Sequence, residues 1–328
     1  MPASSRPKKK SVAVTGANGY VGRLALARLL ESSRVGRVLA LDREEPELSH
    51  QKLSFAPLDL TRADAVESMT AALADAHVDT LVHLAFFSSP VRDAGFAHEV
   101  EAVGTGHVLA AAAAAHVGSL VMSSTTFVYG ASPQNPNFLT EDRALPARAV
   151  SRAVADRVEA EQQVRAWRAT NPSMRSTVLR FASIVGPTVD TPVTRYLGRA
   201  VAPVVLGYDP LVQCVHEDDV GEAILCAVLA DKCGDYNVCG RGVVPLSTAL
   251  RLTGAKALPL PMSVAAASLR ALNAVGVTAV PTRMLDYLRF LWVADGTRAE
   301  RELGFRPRYS TREALLSFAR SRSGAAAA

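Results

Sequence analysis

Ser11-Val12-Ala13-Val14-Thr15-Gly16-Ala17-Asn18-Gly19-Tyr20-Val21-Gly22 is the stretch on which the reading of this 328-residue chain turns. The apolar run Val12 to Val14 predicts a buried parallel strand, and Leu24 to Leu30 carries a helix onward. Between them the three glycines have separate uses. Gly16 permits a tight turn off the strand, Gly19 lets a pyrophosphate approach the backbone, and Gly22 lets helix pack on strand. The open amides and dipole at the helix start favour phosphate. A second strand, Val38 to Asp42, ends in a carboxylate 20 residues past Gly22. An acid there accepts ribose hydroxyls and repels a 2′-phosphate, which favours NAD; Arg43 beside it leaves NADP open.

The same alternation continues outward. Leu53 to Leu58 predicts a third strand closing on Asp59-Leu60, Arg62 to Ala74 a helix, and Thr80 to Ala85 a fourth strand. The Ala-rich run Gly104 to His116 predicts a helix, Ser119 to Ser124 a fifth strand, Ala147 to Ala169 a long helix and Ser176 to Arg180 a sixth strand. Strands alternating with helices make a parallel sheet of right-handed βαβ units. Beyond Pro187 the rhythm breaks into short elements punctuated by seven prolines between Pro192 and Pro281. The expected architecture is therefore α/β: a Rossmann-type doubly wound sheet over 11–187, with parts of 211–240 packed on it. A smaller α+β substrate lobe takes up 188–320, over the C-terminal edge of the strands. Residues 1–10 and 321–328 are expected to be disordered tails.

Composition narrows the function. Hydrophobic residues make up 49% and charged ones 20%, enough for a sizeable core. The net charge of +5 owes four basic residues to the tail, Arg6, Lys8, Lys9 and Lys10. Without them the body is almost balanced, so nucleic acid is not an expected partner. Cys214, Cys226, Cys233 and Cys239 have no Cys-x-x-Cys spacing and no secretory leader precedes them. Reduced thiols and a cytoplasmic location are expected. Ser263 to Val280 is the most apolar window, but Arg270 and Asn273 interrupt it, so an amphipathic helix rather than a membrane segment is expected.

These landmarks resemble the extended short-chain dehydrogenase/reductases of the NAD-dependent epimerase/dehydratase family, from about Val12 to Leu316. Thr15 to Gly22 resembles the family's phosphate loop, Asp59-Leu60 its adenine contact, and His83-Leu84-Ala85 its stretch along the cofactor. Ser123-Ser124-Thr125-Thr126-Phe127-Val128-Tyr129-Gly130 is similar to its Ser-Ser-x-x-x-Val-Tyr-Gly segment. Leu179-Arg180, Gly186-Pro187, Val215 to Val220, Tyr236-Asn237-Val238 and Glu302 to Pro307 follow in the family's order. The resemblance implies cofactor contacts at Gly16, Asn18, Gly19, Tyr20, Val21, Gly22, Asp42, Arg43, Asp59, Leu60, Leu84, Ala85, Ser123 and Arg152. It also implies a small-molecule substrate and a homodimer formed through the long helices.

The catalytic signature departs from the family. Its acid/base machinery is a Ser or Thr, a Tyr, and a Lys four residues on. Thr125 matches the first, and the Tyr-x-x-x-Lys site is expected at Arg148 to Arg152, with both key residues replaced by arginine and Asp156 following. No tyrosine lies between Tyr129 and Tyr196, and no lysine between Lys52 and Lys232. A guanidinium stays protonated at neutral pH and cannot cycle a proton. Thr125, Arg148 and Arg152 are thus the candidate catalytic set, with Glu101 expected to pair with one of the arginines. Thr126-Phe127 stands where the family's dehydratases carry Asp-Glu, and Val212 where its nucleotide-sugar epimerases carry Arg, which points to a more apolar, non-nucleotide-sugar substrate. His83 is expected to be structural, and Asp218 or Asp219 to cap a helix. His107 and His116 lack a ligand-like spacing, so no metal site is expected. Two readings stand: an NAD(P)-dependent oxidoreductase or epimerase-like enzyme with an unusual proton path, and a silent NAD(P)-binding sensor or scaffold.

Overall fold

In the computed structural model, which describes residues 9–89, 93–146, 151–276 and 280–325, the apolar runs of the first half become parallel strands covered on both faces. The elements are β1 (Lys10–Thr15), α1 (Tyr20–Glu31), β2 (Val35–Asp42), β3 (Leu53–Pro57), α2 (Ala65–Asp75) and β4 (Thr80–His83). Next come α3 (Ala94–His98), a π-helical turn (Glu99–Val103), α4 (Gly104–Ala114), β5 (Ser119–Thr125) and a 3-10 turn (Thr126–Tyr129). Then follow α5 (Arg152–Thr170) and β6 (Arg175–Phe181). Val12, Ala13 and Val14 are wholly buried, as a strand with helices on both sides requires.

With β11 (Gly234–Val238) added, the sheet runs β11-β6-β5-β4-β1-β2-β3, parallel throughout. The chain winds outward from β1 to β3, returns to β4 on the other side of β1, and then winds the opposite way. Connections leave β1 and β4 in opposite directions, which opens a crevice beyond their C-terminal ends. One face is covered by α1 and α7 (Glu217–Ala230), whose Leu26, Leu29, Ala223 and Ile224 share a buried cluster. The other is covered by α2, α4 and α5 through Met69, Leu73, Val108, Ala112, Ala160 and Val164.

The remaining elements build the C-terminal lobe. They are β7 (Ser183–Val185), α6 (Pro192–Leu197), β8 (Val201–Val205), β9 (Leu211–Val212), β10 (Cys214–His216), β12 (Val244–Pro245), α8 (Leu246–Leu252), β13 (Lys256–Leu260), α9 (Met262–Ala274) and α11 (Thr311–Ala325), whereas α10 (Thr297–Glu302) packs back on the main sheet, its Ala299 buried in the same cluster as Tyr236 and Val238 of β11. Three two-stranded ladders, β7 with β10, β9 with β12 and β8 with β13, surround a separate apolar cluster of Leu197, Leu246, Leu250, Leu315 and Phe318. Among the described residues no helix is long and apolar enough to cross a membrane.

Several expected boundaries shift. Lys10 belongs to β1 rather than to a tail, and its ammonium lies 3.7 Å from Asp231. Residues 321–325 continue α11, because Thr311 starts a helix whose Ala314, Leu315 and Phe318 are anchored in the lobe. The expected helix start at Ala147 falls on residues 147–150, outside the described residues; α5 is seen from Arg152, with Ser151 accepting the Val154 amide as its N-cap. In the apolar window at 263–280, α9 ends at Ala274, residues 277–279 lie outside the described residues, and a 3-10 turn (Thr282–Leu288) follows. Neither Asp218 nor Asp219 caps α7. His216 does, its Nδ1 accepting from the Asp218 amide at 3.2 Å, while Asp219 reaches across to accept the Arg308 and Tyr309 amides.

Candidate functional site

The turn after β1 has the shape its glycines imply. Gly16 has φ +67°, and a Cβ there would sit 2.6 Å from the Ala85 backbone. A Cβ on Gly22 would overlap the Gly16 carbonyl and come within 2.7 Å of that of Ala17. Only glycine lets β1, α1 and the end of β4 meet this closely. Asp42 faces the turn from the end of β2. Its Oδ2 accepts the Asn18 amide at 2.8 Å and its Oδ1 the Arg43 amide at 2.7 Å. The Asn18 side chain donates to the Glu44 carbonyl, so turn and strand end are pinned together. Arg43 is mostly exposed and leans toward Asp59, 3.7 Å away. Asp59 binds the Thr61 amide and hydroxyl, which holds its pKa below the usual carboxylate value, and Leu60 is buried. Tyr20 sends its hydroxyl 2.8 Å to Glu217, which also accepts from the Thr188 amide and hydroxyl. This bond ties the glycine turn to the opening of the C-terminal lobe, and the sequence reading missed it.

Beyond the strand ends, a second group of side chains converges. Glu101 lies in the π-helical turn and is 2% exposed. Its Oε1 accepts the Phe87 amide at 2.7 Å, and Oε2 lies 3.6 Å from Nε of Arg157. Burial raises the Glu101 pKa and lowers that of Arg157. The Arg157 guanidinium stacks 4.0 Å over Phe86 and donates to the Phe87 carbonyl at 3.2 Å and the Ser123 carbonyl at 3.4 Å. It thereby joins the end of β4, the end of β5 and α5 in one place. Glu101 is thus paired, but with Arg157 and not with Arg152.

Arg152 points elsewhere. Its Nε lies 3.0 Å from Asp156, one turn along α5, and its side chain is 57% exposed. Arg148 lies outside the described residues. Arg157 is recognisable in retrospect by helical spacing: it falls three and four residues before Ala160 and Glu161, the buried stripe of α5, whereas Arg152 lies off that stripe. Thr125 ends β5 and caps the 3-10 turn, its Oγ1 accepting the Phe127 amide at 3.3 Å and keeping its own proton to donate. Leu84 and Ser123 are buried, and Ala85 is half-buried against Gly16.

Other titratable side chains nearby are committed. His83 is enclosed between the Thr15 hydroxyl at 2.7 Å and that of Thr105 at 3.0 Å, and burial lowers its pKa to about 3. It is a neutral structural histidine. The Tyr129 hydroxyl donates to Asn237 and accepts from Arg180, both at 2.8 Å; burial pushes its pKa up to about 12. Phe127 forms an apolar wall beside Thr125, with ring centroids 4.6 Å from Trp292 and 4.9 Å from Tyr287. Thr126 is buried and Val212 is enclosed in β9.

Known proteins resemble the chain along most of its length. A family model described as the NAD dependent epimerase/dehydratase family matches residues 12–239. An uncharacterised protein of Mycobacterium tuberculosis (strain H37Rv), Rv0501, is 34% identical over 319 residues, covering 95% of this chain and 84% of that protein. An uncharacterised protein of Sinorhizobium fredii, y4nG, is 24% identical over 94% of this chain and 77% of its own length. Among solved structures, gox2253 superposes with a TM-score of 0.76 at 22% identity, over 97% of this chain and 99% of that one. The UDP-glucose 4-epimerase of Thermotoga maritima, solved with UDP-glucose, gives 0.72 at 19% identity, over 96% and 99%. MoeE5 in complex with UDP-glucuronic acid and NAD gives 0.72 at 22% identity, over 96% and 99%.

Proposed function

The chain belongs to the NAD-dependent epimerase/dehydratase family, and from that premise we propose that it is an NAD-dependent oxidoreductase or epimerase-like enzyme acting on a small substrate other than a nucleotide sugar. The observation that carries the cofactor reading is the close approach of Gly16, Gly22 and Ala85, a cradle any Cβ would fill, faced by the Asp42 carboxylate. Gly16 to Gly22 would hold the pyrophosphate on their amides and the α1 terminus, and Asp42 the ribose hydroxyls. With Arg43 turned toward Asp59, NAD suits this end of the site better than NADP.

Bound nicotinamide supplies a hydride acceptor or donor. The residues around it do the rest. Arg157, at the convergence of β4, β5 and α5, takes over the anchoring and charge-stabilising work that the family assigns to lysine. Arg152, committed to Asp156, does not. Because a guanidinium keeps its proton, Arg157 orients and stabilises negative charge but does not shuttle protons. The Thr125 hydroxyl holds the substrate oxygen, and the proton passes through it to water. Phe127, Tyr287 and Trp292 supply an apolar wall in place of dehydratase carboxylates, and Val212 offers no cation for a nucleotide diphosphate.

The silent-sensor alternative draws on one observation: Glu101 with Arg157 and Asp156 with Arg152 form closed ion pairs. Two measurements separate the readings. Protein released by denaturant is assayed for nicotinamide by enzymatic cycling, and folded protein is titrated with NAD and NADP. NAD retained in preference to NADP supports the cofactor reading; neither bound at millimolar concentration overturns it. Reduction of the bound cofactor by a panel of small apolar alcohols, seen as near-ultraviolet absorbance, separates enzyme from sensor.

A further inference from the structure

His98, Asp156 and Glu159 offer one ligand atom each within 4.8 Å of one another. They come from two helices packed side by side: His98 ends α3, and Asp156 and Glu159 lie three apart on α5. The sequence offers no hint of this, because 58 residues separate His98 from Asp156. His98 Nδ1 lies 2.9 Å from Asp156 Oδ1. The π-helical turn begins at the next residue, and such an extra residue in a helix re-aims side chains and is frequent at functional sites. Here it turns both His98 and Glu101 toward α5.

A second observation is independent of that spacing. Asp156 is 1% exposed, and its Oδ2 has no hydrogen-bond partner among the described residues. A buried carboxylate oxygen without a donor calls for an explanation, and a cation beside it is one. One cation is already near: Arg152, its Nε 3.0 Å from Oδ1 on a side chain that is 57% exposed.

We propose that His98, Asp156 and Glu159 bind a borderline divalent transition metal of the Zn²⁺ or Co²⁺ class, with Arg152 holding the carboxylate when the metal is absent. One imidazole nitrogen and two carboxylate oxygens suit such ions better than Mg²⁺ or Ca²⁺, which take oxygen ligands. Metal–ligand distances of about 2.0–2.2 Å place tetrahedral ligands about 3.3–3.6 Å apart. The His98–Asp156 pair, at 2.9 Å, is shorter than that and must open to admit a metal, and Glu159, exposed on α5, closes the remainder by a rotamer change. Three protein ligands leave a fourth position for water. The pair formed by Glu101 and Arg157 is one helical turn away, so a metal here would lie at the margin of the candidate site.

The test uses full-length protein freed of metal by chelator. Co²⁺ is titrated and followed by its visible absorption, and Zn²⁺ by calorimetry. One saturable equivalent is expected. His98→Ala and Glu159→Ala, both at least partly exposed and therefore tolerable to the fold, should each weaken binding by about tenfold or more. Arg152→Ala should tighten it by removing the competing cation. Absence of saturable binding, affinity unchanged in both ligand variants, or weaker binding in Arg152→Ala overturns the proposal. Cofactor retention, measured on the same samples, reports separately on the nucleotide site.

Discussion

Arg180 is fully buried at the centre of an ionic cluster below the candidate site, and replacing it tests how that site is supported. Its Nη2 lies 2.6 Å from Glu161 Oε2, its Nε 3.1 Å from both oxygens of that carboxylate, and Nη2 reaches Asp235 at 3.2 Å. Nη1 donates to the Tyr129 hydroxyl and the Glu141 carbonyl. Glu161 also accepts from Ser124, the residue next to Ser123, whose carbonyl Arg157 binds. The cluster therefore sets where α5 sits against β5. In Arg180→Met, Asp235 keeps Arg165 at 2.9 Å and Arg168 at 3.0 Å, but Glu161 is left buried without a cation.

Removing one partner of a buried ion pair costs about 3–5 kcal/mol, a large part of a total stability of about 5–15 kcal/mol. At about 2.1 cal/mol/K of unfolding entropy per residue, a 328-residue chain moves its Tm by about 1.5 °C per kcal/mol, so Arg180→Met should melt roughly 4–8 °C lower. Adding Glu161→Gln removes the stranded charge while keeping an acceptor for Ser124. The double variant should then be more stable than Arg180→Met alone, with a coupling of about 1–3 kcal/mol. Chemical denaturation of the four proteins of this cycle gives the number. A loss below about 1 kcal/mol for Arg180→Met, or a double variant weaker than the single, would refute the claim that Glu161 depends on Arg180.

Three other outcomes follow from the same geometry. Gly22→Ala should abolish NAD retention and destabilise the fold, since the added Cβ collides with the backbone of the turn; titration and thermal melting check both. Arg157→Met should weaken NAD binding by about tenfold or more, whereas Arg152→Met should leave it within about twofold, as isothermal titration will show. Glu101 carries a raised pKa, so folding favours its protonated form; that contribution is complete below the ordinary carboxylate value and is lost as pH rises through the raised one. Glu101→Gln should accordingly flatten the fall in stability between acid and neutral pH, measured by denaturant unfolding at several pH values.

The parts of this fold legible in the sequence are those governed by local rules. The β1 turn needs glycine at Gly16 and Gly22 because backbone approaches backbone there, and a carboxylate at the end of β2 needs only correct strand spacing. Both can be read along the chain. The ends of elements depend on tertiary contact, and there the reading strays: α11 runs on past residue 320 because Leu315 and Phe318 hold it in the lobe, and His216 rather than an aspartate caps α7. Even so, Asp219 is no spare acid. It fastens two amides of the segment before α11, a partnership 89 residues distant that no local pattern encodes.

The arginines make the same point for the candidate site. Matching a Tyr-x-x-x-Lys spacing picks out Arg152, because the eye follows the interval between residues. The helix follows its buried face. Glu161 is fixed under β5 by Arg180 and Ser124, and one turn of α-helix from Glu161 brings the chain to Arg157, whose guanidinium reaches the Ser123 carbonyl while Arg152 turns outward to Asp156. A side chain that must face the crevice is therefore set by the deepest anchor on its own helix. The pairing of Glu101 with Arg157 expresses that constraint: the helix turn carrying Glu101 and the helix carrying Arg157 can meet over Phe86 and Phe87 only when α5 is held in this rotation.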